Sequence, residues 1–196
     1  PSHRPRKRFG QNFLTDEGVI SRIAAAIAPS KTDHIVEIGP GQGALTESLV
    51  TAGSAVDVIE LDRDLVPGLL AAYSIYKDFT LHSADALKFD FAALATDSEQ
   101  LRIVGNLPYN ISTPLIFKLL ENASLIRDMH FMLQLEVVER LAAQPGSKAW
   151  GRLGIMAQYL CRVEHLFDVP PESFNPPPKV QSAIVRLEPW PESPWP

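Results

Sequence analysis

Cysteine is almost missing from this chain: Cys161 stands alone among 196 residues. One thiol closes no intrachain disulfide and supplies no thiolate metal cluster, so it reads as a buried, inert side chain in a reducing compartment. Long apolar runs are also missing. No stretch approaches the length of a membrane span, and no apolar segment follows the basic N-terminal residues as in a secretory signal. A cytoplasmic protein with no membrane partner and no metal is expected. An excess of positive charge is the third absence. The net charge of −5 excludes a uniformly basic nucleic-acid wrapper, which would show surplus Lys and Arg.

What is present fits one well-buried globular domain, with 45% hydrophobic and 21% charged residues. The charge is unevenly spread. Residues 2–10 carry Arg4, Arg6, Lys7 and Arg8 and no acid, so a positive arm precedes an acidic body. Such an arm is either a solvated terminus or a phosphate-binding one. Further on, β-branched apolar runs predict strands at 34–38, 55–59, 79–82, 101–105, 129–135 and 180–187. Helical periodicity lies between them at 16–27, 44–51, 65–73, 113–120, 137–143 and 153–160. Strand and helix alternate, which implies right-handed βαβ units in a mostly parallel sheet with helices on both faces and ligands at the strand carboxyl ends. The segment 142–150 reads as an exposed loop, and 169–178 is too rich in proline for regular structure. The chain divides into an arm with a site-bordering motif at 1–14, a catalytic domain at 15–188 and the start of a linker at 189–196.

The first strand runs directly into Gly39-Pro40-Gly41-Gln42-Gly43 and then a helix, where a tight turn brings backbone close to a ligand. Glu60 ends the next strand, placed to accept both hydroxyls of a ribose. Gly39, Gly41, Ala44 and Glu60 also satisfy a relaxed dinucleotide fingerprint, so these residues leave a nicotinamide oxidoreductase open. Asp85, after the third strand, can accept the amino group of a cofactor adenine or simply serve as a helix N-cap. The tetrapeptide Asn106-Leu107-Pro108-Tyr109, after the fourth strand, is the most specific element. Each position answers a need of methylating an arylamine. The lone pair of an adenine N6 is delocalised into the ring, so attack on a sulfonium methyl needs acceptors that pull the amino hydrogens out of plane. The Asn106 side-chain oxygen is one such acceptor and a carbonyl near Leu107 the other, with Pro108 fixing the turn. Tyr109 offers a ring for the base to stack on, worth roughly 1–3 kcal/mol on comparable platforms. No general base is needed, since the amine becomes acidic only as the new bond forms; positioning and desolvation lower the barrier. Phe174 is either a second wall for the base or a loop aromatic that plugs the core.

With these residues in hand, the chain resembles the ribosomal RNA adenine dimethyltransferases, and among them the small-subunit enzymes that dimethylate two adjacent adenines near the 3′ end of the rRNA. The resemblance rests on RFGQNFL at 8–14, EIGPGQGALT at 37–46, ELDRDL at 60–65, ADAL at 84–87, NLPYNIS at 106–112 and FNPPPKVQSAIVRL at 174–187. It implies an α/β class I, Rossmann-like methyltransferase fold, with seven strands of which the last is antiparallel, and S-adenosyl-L-methionine as methyl donor. It also implies roles. Gln11, Asn12 and Leu14 border the methionine end of the cofactor, Gly39 and Gly41 form its backbone-lined turn, Glu60 holds its ribose and Asp85 its adenine. Asn106 touches both ligands, Tyr109 and Phe174 sandwich the extruded base, and Leu107 and Pro108 shape the amine pocket. The substrate of the family is a pre-assembled ribosomal particle, met by a monomer, which gives the arm at Arg4, Arg6, Lys7 and Arg8 an RNA-binding role in ribosome biogenesis. The family continues into a small helical C-terminal domain, which is absent from this sequence after Pro196.

Three other readings share some of these residues. A large-subunit rRNA adenine methyltransferase of the macrolide-resistance type has the same fold and cofactor, but RFGQNFL, NLPYNIS and FNPPPKV favour the small-subunit enzyme. A DNA adenine methyltransferase would more often show an acid or Asn before Pro-Pro-Tyr or Pro-Trp. A non-catalytic RNA-binding or transcription factor of the same fold has no need of an intact Asn106, Tyr109 and Asp85.

Overall fold

The computed structural model describes residues 11–196. Two residues, Phe13–Leu14 (β1), precede helix α1 (Glu17–Ile27). Asp16 caps that helix, its carboxylate accepting the Val19 N–H at 3.1 Å. Strand and helix then alternate as the periodicity predicts, except that β4 and β5 are joined by a 3₁₀ turn at Phe91–Leu94: β2 (His34–Ile38), α2 (Thr46–Thr51), β3 (Ala55–Glu60), α3 (Val66–Tyr73), β4 (Phe79–Ser83), β5 (Leu101–Asn106), α4 (Tyr109–Leu120) and β6 (Ile126–Gln134). The chain closes with α5 (Leu135–Leu141), α6 (Arg152–Leu160), β7 (Cys161–Val169), β8 (Phe174–Asn175) and β9 (Ser182–Pro189).

Seven strands form one sheet in the order β4-β3-β2-β5-β6-β9-β7, and the last of them in sequence, β9, runs antiparallel to both of its neighbours. The central strands are buried on both faces, which is why they read as near-continuous apolar runs. Alternate residues go to opposite layers. Val36, Ile103 and Phe131 pack on the side of α4, α5 and α6, while Ile35, Val104 and Met132 pack on the side of α1 and α3. This is the class I methyltransferase sheet, and its order reverses between β2 and β5.

Three features were not marked by the apolar periodicity. Strand β7 sits at the sheet edge, and Arg162, Glu164, His165 and Asp168 interrupt its apolar positions with charge suited to an open edge. Helix α4 begins at Tyr109 rather than 113, because Pro108 is its N-cap and Pro114 lies inside it. Phe13–Leu14 pairs with Phe174–Asn175 in a short antiparallel ladder, so the proline-rich segment carries a strand as well as a 3₁₀ turn at Pro171–Ser173. Residues 142–150 form no helix or strand. The tail folds back on α6, where Trp190 Nε1 donates to Gln158 O at 3.1 Å and Trp195 Nε1 to Tyr159 O at 3.2 Å.

Candidate active site

A crevice opens where neighbouring crossovers leave in opposite directions, at the carboxyl ends of β2 and β5. Ile38 and Gly105 are register partners there. A Cβ on Gly105 would stand 2.5 Å from the Ile38 carbonyl oxygen, so the two strands approach as only glycine permits. Beyond them lies a cavity of about 250 Å³.

Every site residue expected from the sequence within 11–196 lines this cavity. The turn after β2 contributes Gly39 and Gly41. With φ of 66°, 61° and 90°, Gly39, Gly41 and Gly43 hold the left-handed backbone that turns the chain away from the strand. Gly39 N–H is anchored on Ile59 O at 2.9 Å, and the Tyr73 hydroxyl donates to Gly43 O at 2.9 Å from α3. Glu60 faces this turn from the end of β3. Its Oε1 accepts the Gly41 N–H at 3.2 Å and its Oε2 the Asp62 N–H at 2.9 Å. Burial raises the proton affinity of Glu60, while the N–H groups of Asp62 and Gly41 work against that rise. Gln11 Nε2 donates to Asp62 Oδ2 at 2.8 Å, which fastens the N-terminal segment to the loop after β3.

Asp85 caps no helix, because a turn and not a helix follows β4. Its Oδ1 accepts the Leu87 N–H at 3.0 Å, capping the turn after β4, and the residue also borders the cavity. Asn106 ends β5. Its Nδ2 donates to Asn12 O at 3.2 Å, and that bond orients the amide so that Oδ1 is left as the acceptor. Leu107 N–H is held by Met132 O at 3.2 Å, while the Pro108 carbonyl accepts from Ile111 and Ser112 at the start of α4.

The two aromatics differ. Tyr109 is 67% exposed at the first residue of α4, an open ring beside the cavity. Phe174 is 4% exposed and packs in the core layer that holds Phe13 and Met132, yet it also lines the cavity. Phe174 is therefore a core residue with one side on the cavity. Its position follows from the short ladder, where it is the register partner of Leu14. Arg4, Arg6, Lys7 and Arg8 lie outside the described residues.

Glu37 was given no role in the sequence. It lines the cavity at 3% exposure, and the Thr46 hydroxyl donates to its Oε1 at 2.5 Å. Burial pushes its carboxyl up to about 7, against the pull of the Thr46 bond and with the nearby charge of Glu60 adding to the rise. The signal was visible as an acid inside the apolar run HIVEI, since an unpaired charge is not placed in a central strand without cause.

Residues 2–196 match the model of the family described as ribosomal RNA adenine dimethylase. A ribosomal RNA small subunit methyltransferase A of Pseudomonas syringae pv. syringae is 65% identical over 194 residues, 99% of this chain and 72% of that protein. Among solved structures, a dimethyladenosine transferase from Plasmodium falciparum superposes with a TM-score of 0.82 at 33% identity, covering 91% of this chain and 63% of the other. The 23S rRNA methyltransferase ErmE gives the same TM-score of 0.82 at 31% identity, over 94% of this chain and 72% of its own. A cavity at the β2/β5 reversal, bordered by a glycine turn, a strand-ending acid and Asn-Leu-Pro-Tyr, is thus joined to relatives that methylate ribosomal RNA, and the chain belongs to the ribosomal RNA adenine dimethylase family.

Proposed function

We propose that this chain transfers methyl groups from S-adenosyl-L-methionine to the exocyclic N6 of two adjacent adenines near the 3′ end of small-subunit rRNA, acting as a cytoplasmic monomer on a pre-assembled ribosomal particle. The observation that carries the reading is the turn at Asn106–Tyr109, which sets an oriented amide oxygen beside an exposed aromatic ring at the mouth of the cavity.

The residues present fit the cofactor. Its ribose diol finds acceptors at Glu60, its adenine amine an acceptor at Asp85, and its methionine end the segment of Gln11, Asn12 and Leu14. Among the described residues no Lys or Arg lines the cavity, whereas Glu37, Glu60 and Asp85 do, which suits a ligand with a net positive charge. When bound, S-adenosylmethionine supplies a methyl group on a cationic sulfur, the electrophile of the reaction. The rest falls to the chain. Tyr109 stacks the adenine, and Phe174 and Pro108 wall the amine. Asn106 Oδ1 accepts one amino hydrogen. Because the Pro108 carbonyl is taken up by α4, the Leu107 carbonyl is the backbone acceptor for the other. Together these bonds draw the nitrogen lone pair out of conjugation and toward the methyl, and proton loss follows bond formation. Arg4, Arg6, Lys7 and Arg8 would neutralise rRNA phosphates.

The large-subunit reading is weaker. ErmE superposes equally well, but at 31% identity, whereas the protein named for the small subunit reaches 65%. The test is tritiated methyl transfer into immature small ribosomal subunits, followed by nucleoside analysis, with Asn106→Ala beside the wild type. N6,N6-dimethyladenosine from the wild type alone is expected, with cofactor binding partly retained in the variant. Substantial turnover by Asn106→Ala would overturn the amide's role, and product formed only in large-subunit rRNA would overturn the substrate.

A further inference from the structure

The cofactor cavity holds more negative charge than a ribose and an adenine require. Glu60 and Asp85 account for those two moieties; Glu37 does not. Its Oε1 is held by Thr46, and its Oε2 takes no hydrogen bond from the described residues. Around it, the cross-strand neighbours Val58 and Val104 are apolar, and α1 presents Val19 and Ile23 to the same layer. The titratable groups that face it are Glu60 from β3 and Tyr73 from α3, with Glu47 of α2 beyond Tyr73, and Thr46 is the hydroxyl donor from α2. No cation among these residues balances the carboxylate. A buried acid so placed keeps its proton to far higher pH than a free carboxyl until a positive charge arrives.

We propose that Glu37 is the charge sensor of the cavity: near neutral pH it exchanges a proton with solvent while the site is empty, gives that proton up when a cofactor of net positive charge binds, and thereby separates the sulfonium substrate from its neutral thioether product. This rests on the cofactor assignment made above. The charge argument is simple. S-adenosylmethionine carries one more positive charge than S-adenosylhomocysteine, and that charge sits on the sulfur whose methyl is transferred. In a cavity of low dielectric, an extra cation lowers the proton affinity of a nearby acid, while a neutral ligand only desolvates it further. The Glu37 carboxylic acid releases its proton to solvent on binding of the sulfonium. After methyl transfer the cation is gone, and the buried carboxylate takes a proton back from solvent while the thioether is still bound. Tight product binding is avoided by the same residue that favours the substrate.

The test is isothermal titration calorimetry of the intact chain at pH 7 in buffers of different ionisation enthalpy, which counts protons directly and needs no turnover. With the Glu37 carboxyl at about 7 in the empty site, about half a proton per site is available. S-adenosylmethionine is expected to release about that amount, whereas S-adenosylhomocysteine, which only desolvates the carboxyl further, is expected to release none and to draw protons in instead. Preference for the sulfonium over the thioether is expected to rise with pH from 6 to 8. Glu37→Gln, which keeps the shape and can still accept from Thr46, should abolish both the proton difference and the pH dependence. Thr46→Val removes the bond that favours the charged form and should increase the release at pH 7.5. Equal proton counts for the two ligands, or a difference that persists in Glu37→Gln, would overturn the proposal and assign the protons to the ligand's own amine. Failure of both ligands to bind would instead refute the cofactor assignment itself.

Discussion

Gly105 is where fold and chemistry meet most closely, and Gly105→Ala is the most informative single change. The new methyl would stand 2.5 Å from the Ile38 carbonyl oxygen and 3.2 Å from Leu107 Cδ2. The first contact is backbone on backbone, between two central strands whose register is fixed over five residue pairs, so it cannot be relieved by a rotamer change. Overpacking of this kind costs about 1–3 kcal/mol. For a chain of this size, about 2 kcal/mol lowers the melting temperature by roughly 4–8 °C. The strands must part at their carboxyl ends, which moves Asn106 away from the glycine turn, and a misplacement of about 1 Å can cost on the order of 100-fold in rate. Gly68→Ala is the matched control. It lies in α3 with nothing within 4 Å of the added methyl, and should stabilise by about 0.5–1 kcal/mol through helix propensity. Calorimetric melting and methyl transfer, measured below the onset of unfolding, decide the matter. If Gly105→Ala melts like Gly68→Ala and turns over like wild type, the close approach of β2 and β5 does not set the site.

Arg102 is buried at the opposite end of the sheet, forked onto Asp128 at 2.9 and 3.0 Å and bound to Asp33 at 2.7 Å and to the Ile27 carbonyl at 2.5 Å. Arg102→Ala should destabilise by about 3 kcal/mol in urea unfolding, because it leaves Asp33 only the Ser30 N–H and the exposed Arg127 at 3.0 Å, yet leave cofactor affinity in the folded fraction intact. His34 and His82 both bond to Asp57, at 2.6 and 2.7 Å. The Asp57 bond raises the proton affinity of His34 despite partial burial; burial would raise that of Asp57, but the two histidines hold it below the usual carboxylate range. The His34 contribution is therefore full below about pH 6.5 and lost as pH rises through its elevated folded value, while that of Asp57 is lost only in acid. Wild type should exceed His34→Gln in melting temperature by more at pH 6 than at pH 8.5, and a constant gap would contradict the pairing.

Much of this was legible because the central strands and the site motifs obey local rules. Buried parallel strands read as apolar runs, and the glycine turn, Glu60 and Asn106 each stand at a strand end, so finding the strand finds the residue. What escaped depends on partners distant in sequence. Strand β7 carries charge at an edge, and only its ladder with β9 identifies it. The β1–β8 pair spans some 160 residues and consists of two residues on each side, too short for any period. The double nature of Phe174 comes from that pairing. For Glu37 the signal was present but ambiguous: an acid in an apolar strand promises a partner without saying whether the partner belongs to the chain.

The contrast between the two ends of the sheet resolves that ambiguity. At the amino ends, buried charge is answered within the chain. Asp33 and Asp128 meet Arg102, and the carbonyls at the end of α1, which has no basic residue of its own there, are met by Arg102 and by Arg186 Nη2 on Ala26 O at 2.9 Å. At the carboxyl ends, Glu37 and Glu60 are as deeply buried but receive only N–H and hydroxyl donors. An arginine within reach of either would remove the desolvation cost by supplying the missing charge. The fold shows that it can place one, and among the described residues neither acid has one, an arrangement that the proposed cofactor explains: a sulfonium would bring the missing positive charge to the site and lose it when the methyl is transferred.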